Sequence, residues 1–443
     1  MTSPSALPAH HRLLLAASLG LLLDGCAAQA LAQEVGGLEV GGLDVGGLEV
    51  DQAGAADSAG TAAAPESPLR VTLAHELAYK AEQPDRLIKN RTSLRLEYSQ
   101  FFLDHFVVQF SGKTTAFLDK DHRHDAEGRD TTVSQAYLQT STGQTSLRVG
   151  VQALAWGESL LAPITDVVSP RDNRELFNFN LEELRIGQPM VAVDQYSKVG
   201  RWSMFWIPKP SFNKNPGPGT AYSFDPFKYR ARIEGDNGAE YGASWKKNFE
   251  SSDVTLMAAS LVDNDYGLAM NADGTVTRVK ERYTLAGMSF NYAFKSFVLR
   301  GEAALKSAKA FDNGALQIVR KRAFDSYLGL DYRYSASLTV GVELVNQHIA
   351  GWTDDILGYA RDNRSLLLNV SKSMLHDDLT VNLLHFQNGP YRASVTVLES
   401  TYKWNDHVTL GWNASVPDTN DRRSPLWNVR DQKQVGFKIQ YQF

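Results

Sequence analysis

The sequence predicts an all-β protein, a transmembrane antiparallel β-barrel of about 18 strands. Three observations predict it. Polarity alternates with a period of two through residues 68–443, no apolar run there is long enough for a membrane-crossing helix, and short turns alternate with longer connections. Sixteen strands is the alternative count. A soluble double sheet is the alternative architecture, because a sandwich alternates as well.

The last stretch carries the first observation most cleanly. Val435, Phe437, Ile439, Tyr441 and Phe443 fall on one face, with Gln434, Gly436, Lys438, Gln440 and Gln442 on the other. Apolar outside and polar inside is what a lipid-facing wall requires. A terminal Phe on such a strand resembles the C-terminal signal of bacterial outer-membrane proteins. The same alternation sets Leu338, Val340, Val342 and Leu344 against Thr339, Gly341 and Glu343, and Leu366, Leu368 and Val370 against Ser365, Asn369 and Ser371.

Turn spacing is the second, independent test. Short turns are predicted near Asp104, Gly143, Gly200, Ser251, Lys295, Ser335, Asp377 and Asn405. Between them lie the outer connections 81–90, 119–130, 156–188, 209–237, 265–281, 309–323, 349–362, the tight 388–390, and 417–431. Eight turns and nine connections give 18 strands with both ends on the periplasmic side. A sheet in hydrocarbon cannot leave edge amides unpaired, so it must close. Tyr98, Phe101, Phe110, Trp202, Trp206, Phe290, Tyr292, Phe294, Tyr332, Tyr334, Trp404 and Trp412 fit interfacial girdles, with ordinary strand aromatics as the plainer reading.

The N-terminal part differs. Residues 1–32 read as a signal peptide: His10, His11 and Arg12, an apolar run from Leu13 to Leu23, then small residues ending at Ala30-Leu31-Ala32. The only cysteine, Cys26, follows a sequence like a lipoprotein acylation box, but Asp24 is atypical there. Residues 33–67 read as a flexible Gly-rich periplasmic leader, with a Val-Gly-Gly-Leu repeat over 35–50. The sharper alternative is a partner-binding strand or a plug, since each repeat offers a Leu and a Val to a sheet edge. Residues 68–443 form the barrel.

A net charge of −5 and a pI near 6.1 over 443 residues exclude a nucleic-acid partner, which selects for a basic surface. No enzyme signature is present: Gly287-Met288-Ser289-Phe290-Asn291 is not a nucleophile elbow. No cofactor is expected. The loop Asp121-His122-Arg123-His124-Asp125 and the pairs Glu182-Glu183 and Asp354-Asp355 read as solvated loop charge rather than metal sites; bridging calcium to lipopolysaccharide is the alternative for the pairs.

With the apolar face in lipid, the lumen receives Arg70, Glu76, Arg95, Glu97, Lys113, Arg148, Asp194, Lys246, Arg300, Glu302, Asp331, Arg333, Glu343 and Lys438. A barrel of 16 to 18 strands is wide enough for an aqueous channel, and charges of both signs set up a transverse field across it. The plainer reading pairs neighbours such as Arg300 with Glu302, or Asp331 with Arg333, as wall stiffeners. The long connections 156–188 and 209–237 are the candidate constriction, with an external cap as the alternative. Glu158, Asp166, Arg171, Asp172, Arg174 and Arg185 are the candidate constriction residues, and Ser169-Pro170 followed by acidic residues reads as a helix start.

The runs Trp156-Gly157-Glu158, Asp166-Val167-Val168-Ser169-Pro170-Arg171-Asp172 and Arg185-Ile186-Gly187-Gln188-Pro189 resemble the hallmark segment of an uncharacterised proteobacterial outer-membrane porin family, often associated with lipid and steroid catabolism. That resemblance implies transport without a defined substrate. The strand count is also similar to that of alginate-export barrels, though no motif of theirs matches. The expected role is an outer-membrane channel for an organic solute or polymer. The competing role is a structural barrel whose leader recruits a periplasmic export partner. Outer-membrane lipid, lipopolysaccharide and the barrel assembly machinery are the other expected partners.

Overall fold

The computed structural model describes residues 67–443 apart from 83–85, 104, 119–127, 158, 160, 161, 176–180, 217–221, 223–231 and 425. The signal peptide, the leader up to residue 66 and the Asp121–Asp125 cluster therefore lie outside the described residues. Eighteen strands form one antiparallel sheet. Each pairs with the next along the wall, and the first, Leu69–Lys80, pairs with the last, Gln434–Gln442, from Thr72↔Gln442 to Lys80↔Gln434. The sheet is thus a closed barrel with no edge for lipid to face.

The period-two pattern becomes a two-faced wall. In the strand Leu338–Ala350, Leu344 is 53% exposed while its neighbour Glu343 is 2% exposed on the inner side. In the last strand Val435, Ile439 and Tyr441 are exposed outward, while Gln434 and Gly436 are buried. Apolar exposure around a whole barrel far exceeds what a water-soluble surface carries, and hydrocarbon is the solvent that suits it. Phe101, Trp202, Trp206, Tyr292, Phe294, Tyr332, Tyr334, Trp404 and Trp412 are all exposed. Near the short turns such rings associate: Phe297 stacks on Tyr332 at 4.6 Å and Tyr441 meets Phe443 edge-on at 4.7 Å.

Every short turn falls where the spacing predicts it. Tight connections join, for example, Arg129–Thr142 to Thr145–Gln152, Gln188–Ser197 to Gly200–Ile207, and Phe297–Asp312 is reached from Arg282–Phe294 across two residues. Gly143 has φ +59° and Gly200 φ +135°, and a Cβ on Gly200 would lie 2.5 Å from the Lys246 carbonyl oxygen. Two predicted outer connections are markedly shorter than expected. Strands run on to Asp312 and resume at Ile318, and Arg86–Phe102 begins inside the expected 81–90 connection. Above the apolar belt a strand keeps its ladder while its side chains turn polar, so Lys309↔Lys321 and Ala310↔Arg320 remain paired.

Two further features depart from expectation. Ser169-Pro170 does not start a helix. The Asp172 N–H donates to the Leu184 carbonyl at 2.7 Å and the Arg171 N–H to Asn213 Oδ1 at 2.7 Å, so the first-turn amides that a capping Ser169 would accept from have other partners, and the Ser169 hydroxyl bonds the Leu154 backbone instead. The helical turn in this connection is Leu181–Leu184. The connections at the long-loop end also carry a small sheet of their own, Arg232–Gly235, Gly267–Met270 and Val276–Lys280.

Candidate channel and its inward loop

The fourteen predicted lumen charges share the inner side of the wall, and their partners differ from the plainer reading. Arg300 does not pair with Glu302. It reaches across strands to Asp331 at 2.8 Å and Glu343 at 3.3 Å. Residues i and i+2 on a strand stand about 7 Å apart, whereas cross-strand neighbours have Cβ atoms about 5 Å apart, so charge pairs form across the ladder. Arg148 likewise pairs with Asp194 at 2.9 Å, and Lys438 lies 3.8 Å from Glu76; the exception is Arg95, which reaches 3.9 Å from Glu97 two places along its own strand. Arg70, Lys246 and Arg333 make no ion pair among the described residues.

Glu302 belongs to a different system. Its carboxylate, 4% exposed, accepts from the Ser159 N–H at 2.5 Å, the Thr165 N–H at 3.1 Å and the Thr165 hydroxyl at 2.6 Å. All three donors come from the connection between Thr145–Gln152 and Gln188–Ser197. That loop lies inside the barrel. Further along it, Glu183 pairs with Arg95 at 2.9 Å and Lys113 at 2.8 Å, and Glu175 pairs with Arg91 at 2.7 Å and with Lys89. Glu302 stands on the strand Phe297–Asp312, nine places round the eighteen-strand ring from Arg86–Phe102, which carries Lys89, Arg91 and Arg95. Nine of eighteen is the opposite wall. The loop is a crossbar fixed at both ends of a diameter.

The middle of the crossbar is locked by Asp166. Its carboxylate accepts from Arg171 at 2.8 Å, from Arg185 Nε and Nη2 at 3.2 and 3.0 Å, and from the Trp156 N–H at 3.1 Å. Burial by itself would raise its pKa, but the Arg185 and Arg171 guanidiniums prevail and hold it below the usual carboxylate range. Glu183 behaves alike: burial opposes ionisation, and Lys113, Lys438 and Arg95 hold its carboxyl well below the ordinary value. Of the predicted constriction residues, Asp166, Arg171 and Arg185 meet in this clamp. Arg174 pairs with Asp172 and with Asp130 of the wall. Glu158 lies outside the described residues.

An apolar contact that the sequence reading missed completes the crossbar. Ile164 and Val168 are fully buried against inward-facing Phe205, Ile207, Leu261, Leu285, Leu384, Phe386 and Val395 of the wall. Leu426 and Val429 of the last long connection join the same cluster. The signal was available. Met204-Phe205-Trp206-Ile207 and Leu383-Leu384 break the alternation with apolar residues on both faces, the mark of a strand buried on both sides. From the second long connection, the Tyr222 hydroxyl donates to Gln434 Oε1 at 2.7 Å. Among the described residues no group of three or more His, Cys, Asp or Glu could hold a metal ion.

Residues 73–443 match a family model described as a protein of unknown function, DUF1302. The chain belongs to the DUF1302 family. Among solved structures this DUF1302 barrel is similar to OccAB2 of Acinetobacter baumannii, with a TM-score of 0.53 at 10% identity over 85% of this chain and 97% of that one. OpdL of Pseudomonas aeruginosa is similar with a TM-score of 0.52 at 11% identity, over 85% and 99% of the two chains. At such identities the likeness is one of fold. None of the curated proteins matches the sequence. Closed wall, outward apolar belt and fold together make this DUF1302 chain an outer-membrane β-barrel of the porin type.

Proposed function

We propose that this DUF1302 barrel is a passive channel for organic solutes, narrowed by the loop 153–187. The crossbar carries the reading: a connection tied to opposite walls divides the lumen, so anything that passes must pass beside it. A barrel of eighteen strands is wide enough to hold water as well as a loop, and the paired charges on the inner wall suit a polar path. The solute is selected by the groups that border the crossbar, and direction follows the concentration gradient.

Planar-bilayer recording of the purified protein tests this directly. Discrete conductance steps are expected, and a well-folded barrel that never conducts overturns the reading. Liposome release with sugars, organic acids and fatty acids then ranks solute classes; equal permeation by all of them would remove any selecting role from the crossbar.

A further inference from the structure

On the side of the crossbar toward the long loops, a chamber opens between the Asp166 clamp and the strands Arg282–Phe294, Phe297–Asp312, Ile318–Ser335 and Leu338–Ala350. We propose that this chamber binds a neutral polyhydroxylated ring, a saccharide of one or two units, on its way through the channel; the proposal rests on the channel reading above.

The charges around the chamber are engaged with one another and with neutral donors, which favours a neutral ligand. Lys306 pairs with Asp325 at 2.6 Å, and Lys309 pairs with Asp263. Arg171 is held by Asp166 at 2.8 Å. The remaining lining carboxylates, Asp265 and Asp312, accept from the Asn213 side chain and the Leu268 N–H, each at 2.9 Å. An anionic ligand would meet five carboxylates against three cations, and a cationic one would find every lining carboxylate already bonded to a donor. Hydroxyl groups face neither penalty. Each both donates and accepts, so it can bridge an ammonium and its carboxylate without separating them.

Two further features fit a ring. Tyr283, Phe311, Ile349 and Tyr359 give the chamber apolar walls beside its polar groups, which suits the C–H faces of a sugar as well as its hydroxyl edges. Arg171 Nη1, on a side chain only 3% exposed, has no hydrogen-bond acceptor among the described residues. That atom is shielded from solvent, so a ligand oxygen supplies the missing acceptor only by displacing the side chains around it.

The test uses the full chain in planar bilayers with sucrose and glucose as neutral probes, and glucuronate and arginine as charged ones. Sucrose or glucose should interrupt the current in a saturable manner at concentrations where the charged probes do not. In Lys306→Met/Asp325→Leu, which replaces the pair by apolar groups of similar size, the half-blocking concentration should rise at least tenfold. Should that variant fail to insert, Gln347→Leu gives the same readout. Block by the charged probes alone, or sugar block identical in the variants, overturns the proposal and leaves the channel reading standing. If the wild-type protein conducts nothing, the channel reading falls by itself, and calorimetry with sucrose on detergent-solubilised protein decides the chamber: saturable heat supports it and its absence overturns it.

Discussion

Replacing Glu302 by Ala should release one end of the crossbar. Three hydrogen bonds converge on this buried carboxylate, from Ser159 N–H, Thr165 N–H and the Thr165 hydroxyl. A hydrogen bond to a charged group contributes about 1.5–3 kcal/mol, and stripping one partner from a buried charged cluster costs about 3–5 kcal/mol in total. At 1.4 kcal/mol per factor of ten, the ratio of released to docked loop around 159–165 rises roughly 100- to 4,000-fold. The far end stays fixed by Glu183 and Glu175, so the barrel itself should keep its β circular dichroism and its heat-modified gel mobility. Single-channel recording should then show a larger unitary conductance with added flicker, and Glu302→Gln should fall between the two. An unchanged conductance and an unchanged noise spectrum from a folded Glu302→Ala barrel would refute the anchoring argument.

Asp166→Asn leaves Arg171, 3% exposed, and Arg185 without their shared counter-charge, at a cost of about 3–5 kcal/mol; limited proteolysis should cut the loop 153–187 that wild-type protein protects. Both Asp166 and Glu183 have folded pKa values held below their ordinary 3.8 and 4.5, so their stabilisation is complete above those values and is lost as pH falls through the lowered ones. Hydrogen-exchange protection of the Trp156 amide, which donates to Asp166, should therefore be flat from neutral pH down to about 4.5 and fail only in stronger acid; loss near pH 6 would contradict the clamp. On the lipid face, Leu344→Arg should destabilise the barrel by about 2–4 kcal/mol in denaturant unfolding from bilayers, since Leu344 is exposed outward opposite Leu328. A neutral result there would place that face in water.

The wall was legible because a period of two is a local signal: each strand states in ten residues which side meets lipid, as 434–443 does. Turn parity was legible for the same reason, since a tight turn needs few residues and often a Gly such as Gly143. Loop positions were less so, because a ladder can continue above the membrane with any polar sequence, as at Lys309 and Arg320. The inward fold of 153–187 was open between constriction and cap, for it depends on contacts such as Glu302 with Thr165, 137 residues apart. The fourteen lumen charges were readable individually but not as pairs, because register decides which of them meet. Phe205, Leu384 and Val395 carry no such local signal of their partner, because the apolar loop residues they meet, Ile164 and Val168, are remote in sequence.

The crossbar also has a mechanical meaning. A ring of eighteen strands joined only edge to edge can flatten into an oval at little energetic cost, because each hydrogen-bonded pair tolerates a small change of angle. Tying Arg91 and Arg95 on one side to Glu302 on the other fixes the length of one diameter, so the aperture cannot breathe along it. Cutting either tie converts a strut into a hinged arm and returns that mode of motion to the pore. The steady current expected of the wild type and the flicker expected of the variants would measure the stiffness of the ring.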